Sequence, residues 1–300
     1  MNNIYSKTKL QENSKDKVFE NSYSLVDYKY LNSFNVEVSK INEHEVSIDN
    51  EEIVAEYPLS FILNDKYVNT FLCTPYNLEE LIVGFLKTKG YIENKKSLLK
   101  FEINESERFA KVTIQEKQKN QDEQIIFLNS LDYITCAPVK SNIKINYDTI
   151  YSIMDRNLNS SELFKNTGGV HSVSVFNFDK KIVTCEDVAR HNAMDKAIGF
   201  CVLNDITLKD KIVAVSGRIS LEMILKAAMT QIPIVVSKSA PTNLSIELSK
   251  KIKYNAYWIC KRKTDEYLCK STESYQKVRM NICVLKKKSK DIQSVKSVEY

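Results

Sequence analysis

The sequence predicts an α/β fold with a covered sheet, and three observations carry that prediction. The C-terminal half alternates strand-like and helix-like segments: residues 211–215 lead through Ser216-Gly217-Arg218 into a helical pattern reaching Ala228, and residues 232–237 lead through Ala240-Pro241-Thr242 into another reaching Ile252. Such alternation lays helices over mostly parallel strands. Residues 167–199 hold three of the six glycines and two of the three histidines in the 300-residue chain, with a dense polar run, Glu186-Asp187-Val188-Ala189-Arg190-His191-Asn192. A chain so poor in glycine that places half of them here needs backbone freedom here, at a strand-to-helix junction where α/β proteins set functional groups. Finally, 43% hydrophobic and 27% charged residues are ordinary for a globular chain long enough for one large or two modest cores.

Taken in order, residues 1–45 are polar, without Gly or Pro, and read as a peripheral extension. From Val46 the pattern becomes strand-like, and residues 57–68 read as two strands around an Asn64-Asp65 turn. Leu78, Leu81, Ile82, Phe85 and Leu86 form a helical stripe, with Asn77 and Glu80 as a capping box and Gly90 as the stop. Residues 98–130 alternate as strands around a charged loop, 116–123, and a helix is expected near 148–156. Hairpin strands at 172–176 and 182–185 flank Phe178-Asp179-Lys180-Lys181, and the helix after Asn192 buries Ala193, Met194, Ala197, Ile198, Cys201 and Val202. A last strand covers 257–260. The chain thus divides into the extension, an N-terminal α/β subdomain (46–134), a second α/β domain carrying the motifs (135–270) and a basic tail (271–300).

The net charge of +5 is mild and spread over many lysines, so it points to no nucleic acid but suits an anionic small ligand. No apolar run approaches the ~18 residues of a membrane helix, and the first residues lack a signal-peptide core, which makes the cytoplasm the expected location. Seven cysteines (73, 136, 185, 201, 260, 269 and 283) without a CxxC pair form neither a disulfide framework nor a zinc ribbon, and no metal site is expected.

Four motifs could carry chemistry. Ser216-Gly217-Arg218, between a strand and a helix, offers free N–H groups, a positive helix end and a guanidinium fork to an anion; a tight turn with a surface arginine reads equally well. Gly168-Gly169-Val170-His171 permits close approach of a ligand. His171 also invites comparison with the zinc deaminase signature, H-x-E followed by P-C-x-x-C. Val173 stands where the Glu belongs and Ala240-Pro241-Thr242 brings no cysteines, so that activity is excluded, though not that fold. The run 186–196 could be an acid–base cluster, but a buried ion-pair and capping network, with Asn192 or Asp195 at the helix N-terminus, is the favoured reading. Cys136 lies in a loop beside Pro138 and Lys140, where a cation can lower a thiol pKa; a buried loop thiol is the plainer reading.

TGGVH, CEDVARHNAMDKAIG, SGRIS with a following KAA, and SAPT, in that order, resemble the formate dehydrogenase accessory sulfurtransferases, the FdhD family; so do YPLSFILN and CTPYNLEELIVGFLKTKGYI upstream. The resemblance runs from about residue 51 to 270. It implies a cytidine-deaminase-like three-layer α/β domain with a smaller N-terminal α/β subdomain, usually in a homodimer. It further implies a carrier that takes sulfur as a persulfide from a cysteine desulfurase and passes it to bis-molybdopterin guanine dinucleotide, the molybdenum cofactor, before insertion into formate dehydrogenase. The family's persulfide loop, C-G-x-C-G, falls on residues 135–140, which makes Cys136 the nucleophile. Its guanine-dinucleotide contacts fall on Ile259, Cys260, Lys261, Arg262, Lys263 and Thr264, with Gly169 and Arg218 helping to hold the anion. Val139 replaces the second loop cysteine, Ala137 and Lys140 the loop glycines, and Ala189 the glycine of EDVGRHN. Lys89 replaces the usual acid before Gly90, and Trp258-Ile259 with Lys261 stands where G-F-x-R is usual. One thiolate still suffices for a persulfide, but with no neighbouring thiol an external acceptor must release the sulfur. Two other readings follow from these departures: a chaperone module that binds a molybdopterin or guanine dinucleotide without sulfur chemistry, and a silent member with an unrelated partner.

Overall fold

The computed structural model describes residues 32–42, 45–115, 139, 141, 143, 145–252, 254–262 and 265–270. Its elements are a hairpin β1 (Ser33–Ile41) and β2 (Val46–Val54), then β3 (Tyr57–Leu63), β4 (Lys66–Cys73), α1 (Leu78–Thr88), β5 (Leu98–Asn104) and β6 (Phe109–Ile114). These are followed by α2 (Tyr147–Asn159), α3 (Glu162–Thr167), β7 (His171–Asn177), β8 (Lys180–Asp187), α4 (Arg190–Leu203) and β9 (Ile212–Val215). The chain continues through α5 (Leu221–Met229), β10 (Ile234–Ser237), α6 (Asn243–Lys251), β11 (Asn255–Arg262) and β12 (Asp265–Lys270). The predicted mixed α/β class is what forms. The polar N-terminal segment, expected as an extension, supplies β1: Phe34, Val36 and Val38 alternate, but among polar residues too numerous for the pattern to stand out.

A six-stranded sheet runs in the order β12-β11-β10-β9-β7-β8, with β9, β10 and β11 parallel and the others antiparallel to their neighbours. Its central strands β9 and β10 read as continuous apolar runs because both faces are covered. Val213, Val215 and Val235 point to the main core with α4 and α5. Ile212, Ala214, Ile234 and Val236, the alternate positions, meet Ile150, Ile153 and Met154 of α2 on the other face. The four-stranded sheet, β4-β3-β6-β5, buries Tyr57, Leu59, Phe61 and Leu63 on one side of β3. Phe85 of α1 packs edge-on against Phe61 and Phe71 of that sheet, with ring centroids 5.8 and 5.1 Å apart. The β3–β4 turn holds Asn64 and Asp65 at φ 47° and 61°, the two positive values a tight hairpin needs and that Asn and Asp tolerate.

Between the sheets, α1 lies across α4, and a single core runs through both. The crossing is close because glycines face it. A β-carbon on Gly84 would come within 1.8 Å of the Asp195 carbonyl oxygen, and one on Gly199 within 1.9 Å of the Glu80 carbonyl oxygen. Helix α4 is buried nearly all round, with Asn192, Asp195 and Lys196 enclosed as deeply as its apolar residues.

Several local expectations shift. Asn77 precedes α1 but adopts φ 52° and caps no backbone N–H; its side chain instead donates to Glu80 Oε1 at 3.0 Å, so the predicted capping box does not form. Helix α4 begins at Arg190, so Asn192 and Asp195 lie inside it rather than at its cap. The strand predicted over 257–260 is longer, 255–262, and is followed by a further strand, β12, for which the sequence reading raised no expectation. The charged loop 116–123, Cys136 and the basic tail lie outside the described residues.

Because backbone atoms block the crossing, Gly199→Ala is expected to force α1 and α4 apart and cost about 2 kcal/mol, lowering the melting temperature by several degrees. Thermal denaturation followed by circular dichroism checks this; an unchanged melting temperature would show a looser crossing.

Candidate functional site

The polar run that follows β8 divides its work between two places. Its first part is a buried clasp. Asp187 accepts hydrogen bonds from the backbone N–H and hydroxyl of Thr74 at 3.0 and 3.1 Å, from Ala189 N at 2.9 Å and from Asn192 Nδ2 at 3.0 Å. Lys196, one turn further along α4, reaches the same carboxylate at 2.7 Å, and neither side chain is exposed to solvent. The ammonium also donates to Thr74 Oγ1 at 2.6 Å and to Thr74 O at 3.2 Å, and sits 4.4 Å from the centre of the Tyr76 ring. Asn192 completes the clasp by donating to Leu72 O at 2.7 Å. A second pair, Asp195 with Lys226 at 2.7 Å and Thr88 at 3.0 Å, ties α4 to α5 and α1. Burial pushes the Asp195 carboxyl up, and the Lys226 ammonium opposes that. The favoured network reading therefore holds for Asp187, Asn192, Asp195 and Lys196, with Asp187 rather than Asn192 or Asp195 at the helix start.

Glu186 turns to the other side. Its Oε1 accepts from Ser161 Oγ and, at 3.2 Å, from Phe164 N, which fixes the first turn of α3. Helix α3 and the glycine turn after it form one wall of an open cleft of about 320 Å³, lined by Leu158, Phe164, Gly168, Gly169, His171 and Ser216 among others. The volume lies at the lower end of the ~300–1,000 Å³ of small-molecule sites. The two glycines behave differently. A side chain on Gly168 would meet open space, whereas one on Gly169 would strike Val54 of β2 at 2.7 Å. Gly169 lines the cleft, and its missing side chain makes room for the β1–β2 hairpin.

Arg190 and His191 do not join the clasp. Both open α4, beside the loop 216–220 that follows β9. That loop is pinned by Ser172 N donating to Ser216 Oγ at 3.0 Å, by Ser239 Oγ donating to Ser216 O at 3.1 Å, and by Ser237 Oγ donating to Gly217 O at 2.8 Å. A β-carbon on Gly217 would lie 3.0 Å from His171 Nδ1 and 3.4 Å from Arg190 Cδ, which sets the imidazole and the arginine on either side of it. Arg218 is exposed. Burial, and after it the guanidinium groups of Arg190 and Arg218, hold the His171 imidazole below its usual value. Burial lowers His191 likewise, with Glu222 opposing; His191 Nδ1 lies 3.2 Å from Glu222 Oε2 without the alignment of a hydrogen bond.

Of the residues singled out from the sequence, Gly169 lines the cleft with His171, and Arg218 is outside that lining, though its charge acts on His171. Ile259, Cys260, Lys261 and Arg262 extend β11 beyond Trp258, which pairs with Ser237 at the end of β10, and are held there by β12 alone. Since β9, β10 and β11 are parallel, this extension leaves the sheet at the same end as Ser216 and Gly217. Cys136, Lys263 and Thr264 lie outside the described residues. Val139, where the second loop cysteine would stand, is partly buried against the main core. Burial pushes the Cys73, Cys185 and Cys201 thiols up to about 12, which leaves negligible thiolate at neutral pH. Among the described residues no group of three His, Cys, Asp or Glu could hold a metal ion, and no helix is long and apolar enough to cross a membrane. Sequence reasoning missed Thr74 and gave Arg190 and His191 to the framework. Thr74 bonds across more than a hundred residues, which no local pattern reveals.

The FdhD/NarQ family profile matches residues 54–266, which takes in both sheets of the core, the clasp and the rim. The chain belongs to the FdhD/NarQ family. It is 35% identical to the sulfur carrier protein FdhD of Bacillus subtilis (strain 168) over 233 residues, covering 73% of this chain and 89% of that one. It is 32% identical to the sulfur carrier protein FdhD of Staphylococcus aureus (strain N315), covering 69% and 83%. A crystal structure from Desulfotalea psychrophila, described as a formate dehydrogenase accessory protein, superposes with a TM-score of 0.63 at 26% identity, covering 75% of this chain and 91% of that one.

The depressed His171 and His191 pKa values set the sign of a pH effect. Unfolded imidazoles take up protons near pH 6.5 while the folded ones resist, so the unfolded state binds more protons and stability falls as the pH drops below that value. Urea unfolding between pH 7.5 and 5 is expected to show a shallower loss of stability in His171→Gln than in the parent. Equal slopes would place His171 in ordinary solvent.

Proposed function

We propose that this chain is a cytoplasmic sulfur carrier in the maturation of formate dehydrogenase, with Cys136 as the persulfide-forming residue. Family membership, with relatives named sulfur carrier protein FdhD at 35% and 32% identity that cover 73% and 69% of this chain, is the observation that carries this reading. Burial pushes the thiols of Cys73, Cys185 and Cys201 up to about 12, which sets these three of the seven cysteines aside as nucleophiles.

In the proposed reaction the Cys136 thiolate attacks the outer sulfur of a cysteine desulfurase persulfide. A new S–S bond forms on Cys136, the donor's S–S bond breaks, and the donor leaves as its thiolate, with no net oxidation or reduction. The substrate that receives the sulfur is bis-molybdopterin guanine dinucleotide, held by Gly169, Arg218 and residues 259–264. Because Val139 removes the second loop thiol, release at the level of sulfide needs an external thiol: its thiolate attacks the Cys136 sulfur, the persulfide S–S bond breaks, sulfide leaves, and the mixed disulfide left on Cys136 is reduced by a second thiol. The rim of free N–H groups and guanidinium charge at the strand ends suits the phosphates of that substrate. A cytidine-deaminase-like arrangement, in which the starts of α4 and α5 face the reacting ligand, and a homodimer belong to the same reading.

The half-buried Val139 favours one other reading, a module that binds the guanine or pterin dinucleotide and delivers it without sulfur chemistry. Intact-mass spectrometry after incubation with a cysteine desulfurase and cysteine separates the two. The parent is expected to gain the mass of sulfur and Cys136→Ala to gain none. Undiminished loading of that variant would remove Cys136 from the chemistry, and an unloaded parent would favour the binding module.

A further inference from the structure

The β1–β2 hairpin carries a surface that the carrier chemistry does not use. At its turn end Ile41 pairs with Val46, and Ile48 follows on the same face; the three are 77%, 66% and 71% exposed. Residues 33–54 also hold six carboxylates and a single lysine. Lys40 is committed to Asp49 and Glu51, and Glu52 accepts from Ser33 Oγ. Glu37 and Glu45 are exposed and enter none of the ion pairs among the described residues. The backbone is open as well. β1 and β2 form a two-stranded sheet, in which β2 packs against α3 while β1 has no comparable neighbour beyond β2 among the described elements. The outward N–H and C=O groups of β1 are a template for a third strand, and a two-stranded hairpin is marginal in water without one.

A segment of matching chemistry follows β12. Val278, Met280, Ile282 and Val284 alternate as a strand does, with Lys277 and Arg279 at intervening positions and Lys286, Lys287, Lys288 and Lys290 directly after. Six cations, in a stretch with no Asp or Glu, thus stand against six carboxylates. A second copy of the hairpin, or a nucleic acid, would instead set like charges face to face. The segment also reaches. Lys270 lies opposite Tyr257, and the register continues through Val236 and Ala214 to Ser174, four strand spacings or ~19 Å away. The base of the hairpin sits five residues before Ser174, where Val54 lies against Gly169. The twelve residues from Lys270 to Ile282 span up to ~40 Å when extended. Both partners, apart from Val54, stand outside residues 54–266, the span shared with the family.

We propose that residues 277–290 of this chain add to the free edge of β1 as a third strand, with their apolar side chains beside Ile41, Val46 and Ile48 and their cations against the hairpin carboxylates. Main-chain hydrogen bonds supply the attachment, and charge and alternation select the segment. The proposal does not rest on the sulfur-carrier reading.

Hydrogen–deuterium exchange of the full chain tests it. Amides of residues 277–285 and the outward amides of β1 are expected to exchange at least tenfold more slowly in the parent than in Ile282→Asp, which sets a charge within the added strand, whereas Ile282→Val keeps the protection. Glu37→Lys combined with Glu45→Lys is expected to lose protection severalfold at the same amides, with those of α4 unchanged. Exchange of residues 277–285 at the rate of a free peptide in the parent would overturn the proposal, and so would an Ile282→Asp chain indistinguishable from the parent. Protection that falls on dilution of the protein would mean that the strand comes from another molecule, and would overturn the docking within one chain.

Discussion

The fold depends on a buried ion pair. Asp187 and Lys196 have no contact with solvent, and taking two such charges out of water costs several kcal/mol per ion before their attraction and hydrogen bonds offset it. The pair is tolerable because the groups around it are nearly all used: Thr74 donates its N–H and hydroxyl to Asp187 and accepts from Lys196 at its carbonyl, while Ala189 N and Asn192 Nδ2 also donate to the carboxylate. Thr74 follows β4 directly and precedes α1, whereas Asp187 ends β8. The clasp therefore joins the two sheets at one point and sets where α4 starts. Removing either charge would leave the other buried and uncompensated, at about 3–5 kcal/mol.

That placement has consequences for the rim. With Asp187 committed to the clasp, it is not free to neutralise Arg190, three residues on. The same short run of sequence thus produces a saturated polar core on one side of the α4 start and an unsatisfied cationic surface on the other. The glycine crossing of α1 and α4 supports this by letting the helices approach until Thr74 reaches Lys196. Glu186, facing the opposite way, sets α3 as the cleft wall. Glu186 and Asp187 serve different places because successive residues of β8 point to opposite faces.

Much of this was legible in the sequence. The apolar stripe of α1, the Asn64-Asp65 turn and the strand–helix alternation from residue 211 onward rest on local periodicity and turn chemistry, and each formed where expected. The polar run was legible as a network, and its motifs as a family resemblance. Partners were not legible. Thr74 with Asp187 and Lys226 with Asp195 are long-range pairs with no spacing rule, and α4 starts at Arg190 with no side-chain cap, Asn192 donating to Asp187 instead. Asn77 failed as a cap for a backbone reason: its left-handed conformation turns its side chain toward Glu80 rather than toward the helix N–H groups. The split of Glu186–Asn192 between two sites could be seen only once the strand faces were known.

The central claim is that sulfur passes through this chain to the cofactor of its client. Radiolabelled cysteine, a cysteine desulfurase, this chain and formate dehydrogenase carrying sulfur-free bis-molybdopterin guanine dinucleotide would be incubated together, and the cofactor then recovered and counted. The account predicts label in the cofactor with the parent chain and only background with Cys136→Ala. Equal labelling with both, or with the chain omitted, would contradict it.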